Sequence, residues 1–198
     1  MKILLAEDQS MVRGALAALL SMEDGFEITQ AEDGDRAWLL MKQNSYDILL
    51  TDIEMPGRSG LELAQWVLNQ KIPTKTIIIT TFGRAGYIRR AIDMGVAGFL
   101  LKDAPSDQLV EAIHRVMDGK RVIDGELAMM ALGETDPLND KERRALRLAA
   151  EGKTTAEIAL VLCLSEGTVR NYLSETISKL NAANRVDAAR IARQKGWI

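Results

Sequence analysis

Short apolar runs alternate with amphipathic stretches over residues 1–117 of this chain. The first run, Ile3 to Ala6, is followed from Gln9 to Met22 by apolar residues at helical spacing, which predicts a strand and then a helix. The pattern recurs four more times, at 27–31 and 36–42, 48–51 and 61–68, 76–80 and 87–94, and 97–101 and 108–117. Five such units predict a parallel sheet covered by helices on both faces.

A different pattern begins after Pro137, where only helices are predicted. Capping signatures open helices at Asn139 and Thr154, Ser165 caps a third helix that reaches about Leu180, and a fourth runs from Asn184 to Lys195. A tight turn separates the second helix from the third, which predicts a helix-turn-helix. We therefore expect one domain at residues 1–118, a linker rich in chain-breaking residues at 119–137, and an all-α four-helix domain at 138–198.

The charge balance differs between the two predicted domains. The whole chain has a net charge of -3, but residues 135–198 carry 11 Lys and Arg against 8 Asp and Glu, which leaves the preceding part at -6. An acidic first part and a mildly basic second part suggest different partners. The single cysteine excludes an internal disulfide, and no signal peptide or membrane span is recognisable, so we expect a cytoplasmic protein without a membrane partner.

Polar side chains follow four of the predicted strands. Glu7 and Asp8 follow the first, Asp52 ends the third, Thr80 ends the fourth and Lys102 follows the fifth. Carboxyl ends of parallel strands meet at one edge of the sheet, where an aspartate can act as nucleophile toward a phosphoryl group. Three carboxylates there repel one another, which favours a hard cation such as Mg²⁺. Lys102 would then pair with the phosphoryl group.

These residues resemble the receiver domain of two-component response regulators. The matching set, in order, is Glu7 and Asp8, Asp52 within DIEMPGRSG, Thr80, and Phe99 and Lys102 within GFLLKD. The resemblance implies a flavodoxin-like α/β fold with a five-stranded parallel sheet in the order 2-1-3-4-5, and Asp52 as phosphoacceptor. It implies Mg²⁺ bound by Asp8, Asp52 and the Glu54 carbonyl, with Glu7 acting through water. It also implies that Thr80 and Phe99 form a switch pair.

The third predicted helix of the second domain has two distinct faces. Its apolar residues recur at helical spacing and should face a core; they are Val169, Leu173, Ile177 and Leu180. Arg170, Asn171 and Ser174 then face outward, with hydrogen-bonding groups suited to base edges and phosphates. The pattern therefore predicts a DNA-reading surface, with an ordinary exposed polar face as the alternative.

The stretch from about Asp136 to the end resembles the LuxR-type DNA-binding domain, and with the receiver it places the chain among regulators of the NarL/FixJ type. The resemblance implies base contacts by Arg170 and Asn171, with Ser174 beside them. It implies phosphate contacts by Lys153, Thr168, Lys179 and Arg185, and a small dimer contact by Val186, Ala189 and Ala192. The expected partners are a sensor histidine kinase, double-stranded DNA and, after phosphorylation, a second copy of the chain.

Two other functions remain open from the sequence. A Mg²⁺-dependent small-molecule phosphatase would use Asp52 as nucleophile and Glu54, two residues later, as general acid, although no cap domain is recognisable. A signalling module could also act through protein contacts alone. The TTFGRAGY segment and the closing KGW resemble a subgroup of response regulators that includes temperature-responsive regulators of lipid desaturation.

Overall fold

The computed structural model describes residues 1–81, 84–130 and 136–198, apart from the side chains of Ser106 and Met130. Part of the TTFGRAGY segment and part of the predicted linker therefore lie outside the described residues. The chain divides into two compact units, one formed by Met1–Gly83 and Tyr87–Leu132 and the other by Arg84–Gly86 and Gly133–Ile198.

Strands and helices alternate through the first part of the chain. The strands are β1 Lys2–Ala6, β2 Glu27–Ala31, β3 Ile48–Asp52, β4 Lys75–Thr80, β5 Gly98–Leu101 and β6 Val122–Ile123. The helices are α1 Ser10–Leu20, α2 Gly34–Gln43, α3 Gly60–Asn69, α4 Ala85–Met94, α5 Ser106–Met117 and α6 Gly125–Met130. The predicted alternation of strand and helix is confirmed.

The strands form one parallel sheet in the order β2-β1-β3-β4-β5-β6. The predicted order of the first five strands is confirmed, but the strand count of five is wrong for the described residues. The sixth strand arises because Val122 and Ile123 pair with Gly98 and Phe99 of β5. Glycines on either side of this short strand interrupt the sequence periodicity, which is why it was not predicted.

The sheet is buried on both faces. On one face Leu5 packs with Leu20 of α1 and Ile113 of α5, and on the other Leu4 packs with Leu63 of α3. Successive strand residues point to opposite faces, so strands covered on both sides read as continuous apolar runs. The polar residues at the strand ends are thus the feature that distinguishes the carboxyl edge of the sheet.

The segment after α5 packs on the first unit. Leu127 of α6 is 1% exposed and lies in the same core cluster as Phe99 of β5. The Asp124 carboxylate accepts hydrogen bonds from the backbone N–H groups of Glu126 and Leu127, which have no carbonyl partner within the first turn of the short helix. The first part of the predicted linker is therefore ordered against the sheet.

The second unit is helical. Its helices are α7 Asp140–Ala150, α8 Thr155–Leu162, α9 Glu166–Lys179 and α10 Arg185–Lys195. Capping boxes at Asn139 and Thr154 start α7 and α8, as predicted, and Ser165 caps α9. Val169 and Leu173 of α9 lie in the core of this unit. No helix in the described ranges combines the length and apolar character needed to cross a bilayer.

Cys163 makes the tight turn between α8 and α9. Its backbone is left-handed, with φ of 54°, and its N–H closes the last turn of α8 by bonding to the Leu160 carbonyl. The cysteine is exposed, although its sequence neighbours Val161, Leu162 and Leu164 are apolar and would suggest a buried thiol. The left-handed turn rotates this position out of the apolar face that the sequence periodicity indicated.

Candidate functional site

Three carboxylates meet at the carboxyl edge of the sheet. Glu7 and Asp8 follow β1, Asp52 ends β3, and one oxygen from each lies within 4.8 Å of the others. Glu7 is fully buried and Asp52 is 6% exposed, whereas Asp8 is exposed. The backbone N–H of Ile53 donates to Asp52 Oδ1 at 2.6 Å, which fixes the Asp52 carboxylate at the strand end. The structure thus brings the predicted acidic residues together.

Lys102 lies between the two buried carboxylates. Its Nζ is 2.8 Å from Asp52 Oδ2 and 2.6 Å from Glu7 Oε2. The contact with Asp52 has the geometry of a hydrogen bond, and the contact with Glu7 Oε2 is a close ion pair. The predicted position of Lys102 beside Asp52 is therefore observed.

The protonation of this cluster reflects burial and charge pairing. Burial raises the pKa of both the Asp52 and the Glu7 carboxyl above the usual range, and Lys102 opposes this change in each case. Burial would lower the pKa of the Lys102 ammonium, but its contacts with Asp52 and Glu7 outweigh that effect and raise it. Lys102 is consequently a firmly charged cation inside an acidic site.

The donor set fits a hard divalent cation. Three carboxylates and one ammonium leave an excess of negative charge in a site where burial makes repulsion expensive. Carboxylate oxygens are the ligands that Mg²⁺ prefers, and exposed Asp8 leaves room for the waters that Mg²⁺ retains. The residues present therefore fit Mg²⁺ held by Asp8 and Asp52, with Glu7 at the buried side.

Two residues that sequence reasoning missed shape this edge of the sheet. Gly60 begins α3 so close to β3 that a methyl group on its Cα would overlap the Asp52 carbonyl oxygen. Arg13 of α1 donates from its guanidinium to the Glu7 carbonyl oxygen at 2.6 Å. Gly60, the last residue of DIEMPGRSG, could have indicated a close approach of two backbone segments. Arg13 lies on an amphipathic helix, where an arginine gives no comparable indication.

The remaining predicted receiver residues differ in their burial and contacts. Thr80 ends β4 and is buried, and Phe99 is fully buried in a cluster that includes Tyr87, Ile88 and Leu127. Glu54 is exposed, and its Oε1 accepts a hydrogen bond from the Tyr87 hydroxyl at 3.0 Å. The sequence gave no indication of the contact with Tyr87, which joins residues 33 positions apart.

The second unit presents polar side chains on α9. Arg170, Asn171 and Ser174 are exposed, while Val169 and Leu173 on the opposite side lie in the core. The two faces predicted for this helix are therefore observed. The exposed groups are hydrogen-bond donors and acceptors of the kind that read base edges.

The four residues expected to contact phosphates differ in their surroundings. Arg185 is exposed at the start of α10. Lys153 donates to Glu151 at 3.0 Å, and the Thr168 hydroxyl bonds to the Ser165 hydroxyl at 2.8 Å. Lys179 donates to both carboxylate oxygens of Glu142 at 2.8 Å. The Lys179 ammonium is thus held by the protein itself, a partnership that the sequence did not indicate.

Glu142 connects the first and third helices of this unit. Its side chain is fully buried, accepts from Lys179, and closes the capping box by accepting from the Asn139 N–H. Burial tends to raise the pKa of the Glu142 carboxyl, but the bonds from Lys179 and Asn139 dominate and lower it. The capping box was visible in the sequence, whereas the pairing with α9 needed the fold.

The predicted dimer patch on α10 needs correction. Val186 is 72% exposed, but Ala189 is 6% exposed and Ala192 is fully buried. Both alanines pack in the core of their own unit, because their small side chains let α10 approach the other helices closely. They are therefore core residues, and of the three only Val186 presents its side chain for contact with another molecule.

Comparison with known proteins places both units. A model of the response regulator receiver domain matches residues 3–114, and a model of bacterial regulatory proteins of the luxR family matches residues 136–192. An uncharacterized transcriptional regulatory protein, YvfU of Bacillus subtilis strain 168, is 47% identical over 198 residues, covering 100% of this chain and 99% of the relative. The transcriptional regulatory protein DesR of the same strain is 45% identical over 197 residues, covering 99% and 98%.

Solved structures agree with this placement. The response regulator ChrA of a heme-sensing two-component system is 30% identical with a TM-score of 0.58, covering 100% of this chain and 98% of that chain. RcsB of Salmonella enterica serovar Typhimurium, solved on a promoter with the phosphomimetic BeF3-, has a TM-score of 0.73 at 22% identity, covering 96% and 97%. At that identity the second likeness supports the fold alone.

Proposed function

The chain belongs to the bacterial response regulators that join a receiver domain to a luxR-family domain, and we propose that a phosphoryl group on Asp52 controls its binding to DNA. It is a DNA-binding transcriptional regulator and not a conventional enzyme. The finer assignment to a regulator of lipid desaturation stays a prediction.

The placement of Lys102 against Asp52 and Glu7 is the observation that supports the acceptor assignment. A phosphoryl group brings roughly -1.5 to -2 charges into the site. The buried Lys102 ammonium lies 2.8 Å from Asp52 Oδ2. Once Asp52 carries a phosphoryl group, the same ammonium can bind a phosphoryl oxygen. Asp52 is also the buried aspartate at the strand end, fixed by the Ile53 N–H.

The proposed transfer forms a bond between an Asp52 carboxylate oxygen and phosphorus. The bond between phosphorus and the donor atom breaks, and its electron pair leaves with the donor, which we propose is a phosphohistidine of a sensor kinase. Mg²⁺ bound by Asp8 and Asp52, with the Glu54 carbonyl and Glu7 in support, would neutralise charge on the phosphoryl oxygens. Thr80 then offers its hydroxyl to the acyl phosphate.

We propose that the signal leaves the site through Phe99. This side chain is packed with Leu127 of α6, so a change at Thr80 and Phe99 alters the packing of the segment that follows the sheet.

The division into receiver at 1–118, linker at 119–137 and DNA-binding domain at 138–198 stays a prediction. Its linker includes β6 and α6, which are ordered on the sheet.

DNA contact is proposed through α9 and its neighbours. Arg170 and Asn171 would contact base edges, with Ser174 beside them, because these side chains are exposed on one helix face. Lys153, Thr168 and Arg185 would contact phosphates. Lys179 would do so only on leaving Glu142, so we expect its contribution to be the smallest of the four.

We propose that phosphorylation also drives pairing of two chains. Two helix-turn-helix units held together can occupy half-sites about one helical turn apart. Because Ala189 and Ala192 are core residues, the exposed Val186 alone offers too little apolar area on α10 to sustain a dimer. The association energy must therefore come from another surface.

Phosphate uptake and DNA binding can be tested in one experiment. The full chain would be incubated with Mg²⁺ and acetyl phosphate, and phosphate uptake would be measured by intact mass spectrometry. Binding of the same protein to a library of promoter DNA would then be measured. We expect a mass gain of one phosphoryl group and tighter binding to a subset of promoters. Asp52→Asn, which keeps the side-chain size, should show neither change. Uptake of phosphate by Asp52→Asn would overturn the acceptor assignment.

A further inference from the structure

Arg13 of α1 holds the backbone that connects β1 to α1. Its Nη1 donates to the Glu7 carbonyl oxygen at 2.6 Å and to the Asp8 carbonyl oxygen at 3.4 Å. A terminal guanidinium nitrogen carries two hydrogens, so one end of this side chain can serve two carbonyl groups. The connection between the strand and the helix is therefore bridged by a half-buried cation.

The start of α1 has no side-chain cap. Gln9 occupies the capping position, but its side chain accepts no hydrogen bond from the first turn, and that turn contains no acidic residue. A capping side chain commonly ties the residues before a helix to its first turn. Arg13 instead reaches back from the helix to the carbonyl groups that precede it. It therefore ties the connection to α1 in place of a cap.

The two acidic side chains of this connection are held differently. The Glu7 carboxylate is buried, accepts a hydrogen bond from the Gln9 N–H at 3.1 Å and pairs with Lys102. The Asp8 carboxylate is exposed, and no described residue gives it a hydrogen bond or an ion pair. Only two torsions separate an aspartate carboxylate from its backbone. The location of the Asp8 carboxylate is thus set by the backbone that Arg13 holds.

The position of that backbone matters because the carboxylates are close enough to share an ion. One oxygen from each of Glu7, Asp8 and Asp52 lies within 4.8 Å of the others. Mg²⁺ requires near-octahedral ligands at about 2.0–2.1 Å, so it tolerates little displacement of a ligand. Removing a group that orients a metal ligand typically weakens metal binding by about 10–100-fold. A group that fixes the Asp8 backbone should therefore influence Mg²⁺ affinity.

We infer that Arg13 is a positioning residue for Mg²⁺, which holds the backbone of Glu7 and Asp8 so that the Asp8 carboxylate can share one ion with Asp52. This inference rests on the proposed function, since it needs Asp8 and Asp52 to bind Mg²⁺. It gives a cationic side chain a favourable role in the binding of a cation.

The charge and the hydrogen bonds of Arg13 have opposite effects on Mg²⁺ binding. A positive charge near the acidic cluster repels a cation, so loss of the charge alone should strengthen binding by about two- to fourfold. Loss of the hydrogen bonds releases the Asp8 backbone and should weaken binding by about tenfold. A residue that only stabilises the fold would leave the affinity of the folded protein unchanged. The direction of the change therefore distinguishes the three roles.

The test is the Mg²⁺ affinity of four full-length proteins in the absence of a phosphate donor. Magnesium chloride would be titrated into nitrogen-15-labelled protein, and the amide resonances of Asp8 and Asp52 would report binding at the site. The proteins are wild type, Arg13→Met, Arg13→Lys and Arg36→Met. Urea unfolding of each protein would show that it is folded under the conditions of the titration.

Arg36→Met is the matched control for the loss of charge. Arg36 is an exposed arginine in the first turn of α2, which follows the carboxyl end of β2 and so lies at the same edge of the sheet. Its guanidinium makes no hydrogen bond or ion pair with a described residue. The substitution therefore removes one positive charge from this edge without releasing a carbonyl group.

We expect Arg13→Met to raise the Kd for Mg²⁺ by about tenfold. Arg13→Lys keeps the charge and has N–H groups for the same carbonyl oxygens, so its Kd should stay within about threefold of wild type. Arg36→Met should bind Mg²⁺ as wild type does, or up to about fourfold more tightly. If Arg13→Met does not fold, Arg13→Gln takes its place, with the same weakening expected because its shorter side chain cannot bridge the two carbonyl groups.

Three results would overturn the inference. An unchanged Kd in Arg13→Met would show that Arg13 only stabilises the fold. Tighter binding by Arg13→Met would show that repulsion by its charge is the larger effect. Equal weakening by Arg36→Met would show a general effect of losing an arginine at this edge. Failure of the wild type to bind Mg²⁺ at Asp8 and Asp52 would instead overturn the proposed ion site and this inference with it.

Discussion

The Lys102 ammonium lies 2.8 Å from Asp52 Oδ2 and is almost completely buried, as is the carboxylate that it contacts. The same ammonium lies 2.6 Å from Glu7, so one cation serves two buried anions. Breaking a buried pair leaves a charge without compensation, and here it would leave two. Lys102 therefore contributes to folding as well as to the proposed phosphoryl chemistry.

Lys102→Met should lower the stability of the first unit by about 2–4 kcal/mol at neutral pH, because Glu7 and Asp52 then repel each other in a buried site. Mg²⁺ should restore more stability to this variant than it adds to wild type. Urea unfolding, followed by the emission of Trp38 and Trp66 in a Trp197→Phe background, measures both effects. Lys75→Met, at an exposed position, is the control. Equal Mg²⁺ stabilisation of both variants would contradict the prediction.

Gly60→Ala should destabilise the first unit by about 1–3 kcal/mol and reduce phosphate uptake, because the added methyl group overlaps the Asp52 carbonyl oxygen. Gly14→Ala is a matched control in an exposed part of α1, where an added methyl group meets nothing within 4 Å. That substitution should stabilise the unit by up to about 1 kcal/mol through helix propensity. Thermal unfolding distinguishes the two, and a similar shift in both would show that the close approach at Gly60 is unimportant.

Glu142→Gln should destabilise the helical unit at neutral pH by about 1–3 kcal/mol, since the charged partner of Lys179 is lost. The folded-state pKa of Glu142 is lowered below 4.5, so its contribution is fully present above that pH and is lost as pH falls through the folded value. The difference between the variant and wild type should therefore shrink in acid.

Urea unfolding at about pH 7 and about pH 3 measures this change. Glu157→Gln is the control, because Glu157 closes the capping box of α8 at an exposed position without a buried ion pair. A loss of stability by Glu142→Gln that is equal at both pH values would mean that the charge of Glu142 contributes nothing.

Arg170→Ala and Lys153→Ala should weaken DNA binding in different ways. The loss of a base contact should cost about 1–3 kcal/mol and relax sequence preference at one position. The loss of a phosphate contact should weaken binding to all sequences similarly and reduce the salt slope by about one. Titrations on specific and random duplexes at several salt concentrations separate the two. A reduced salt slope without a change in preference for Arg170→Ala would exclude its role in reading bases.

Much of the fold follows from local pattern. Strands buried on both faces appear as largely apolar runs, and the acids that follow β1 and end β3 stand out against the aliphatic residues of those runs. The order of the first five strands follows from the family resemblance and from the handedness of crossovers. These features predicted that Asp52, Asp8 and Glu7 would meet.

The contacts that the sequence did not reveal are long-range ones. Tyr87 contacts Glu54, and Lys179 contacts Glu142, only when distant parts of the chain pack together, and the local hydrophobic periodicity does not indicate such pairs. Ala189 and Ala192 were misplaced for a related reason. Small residues allow two helices to approach closely, whether the second helix belongs to the same unit or to another chain. The residue types alone therefore do not distinguish a core contact from a dimer contact.

The most direct test of the central claim is sedimentation velocity of the full chain in Mg²⁺, with and without beryllofluoride, for wild type and Asp52→Ala. Beryllofluoride imitates a phosphoryl group on an aspartate. We expect a shift from monomer to dimer in wild type when the mimic is added, and no shift in Asp52→Ala. An unchanged wild-type mass, or the same shift in Asp52→Ala, would contradict control of association by a phosphoryl group on Asp52.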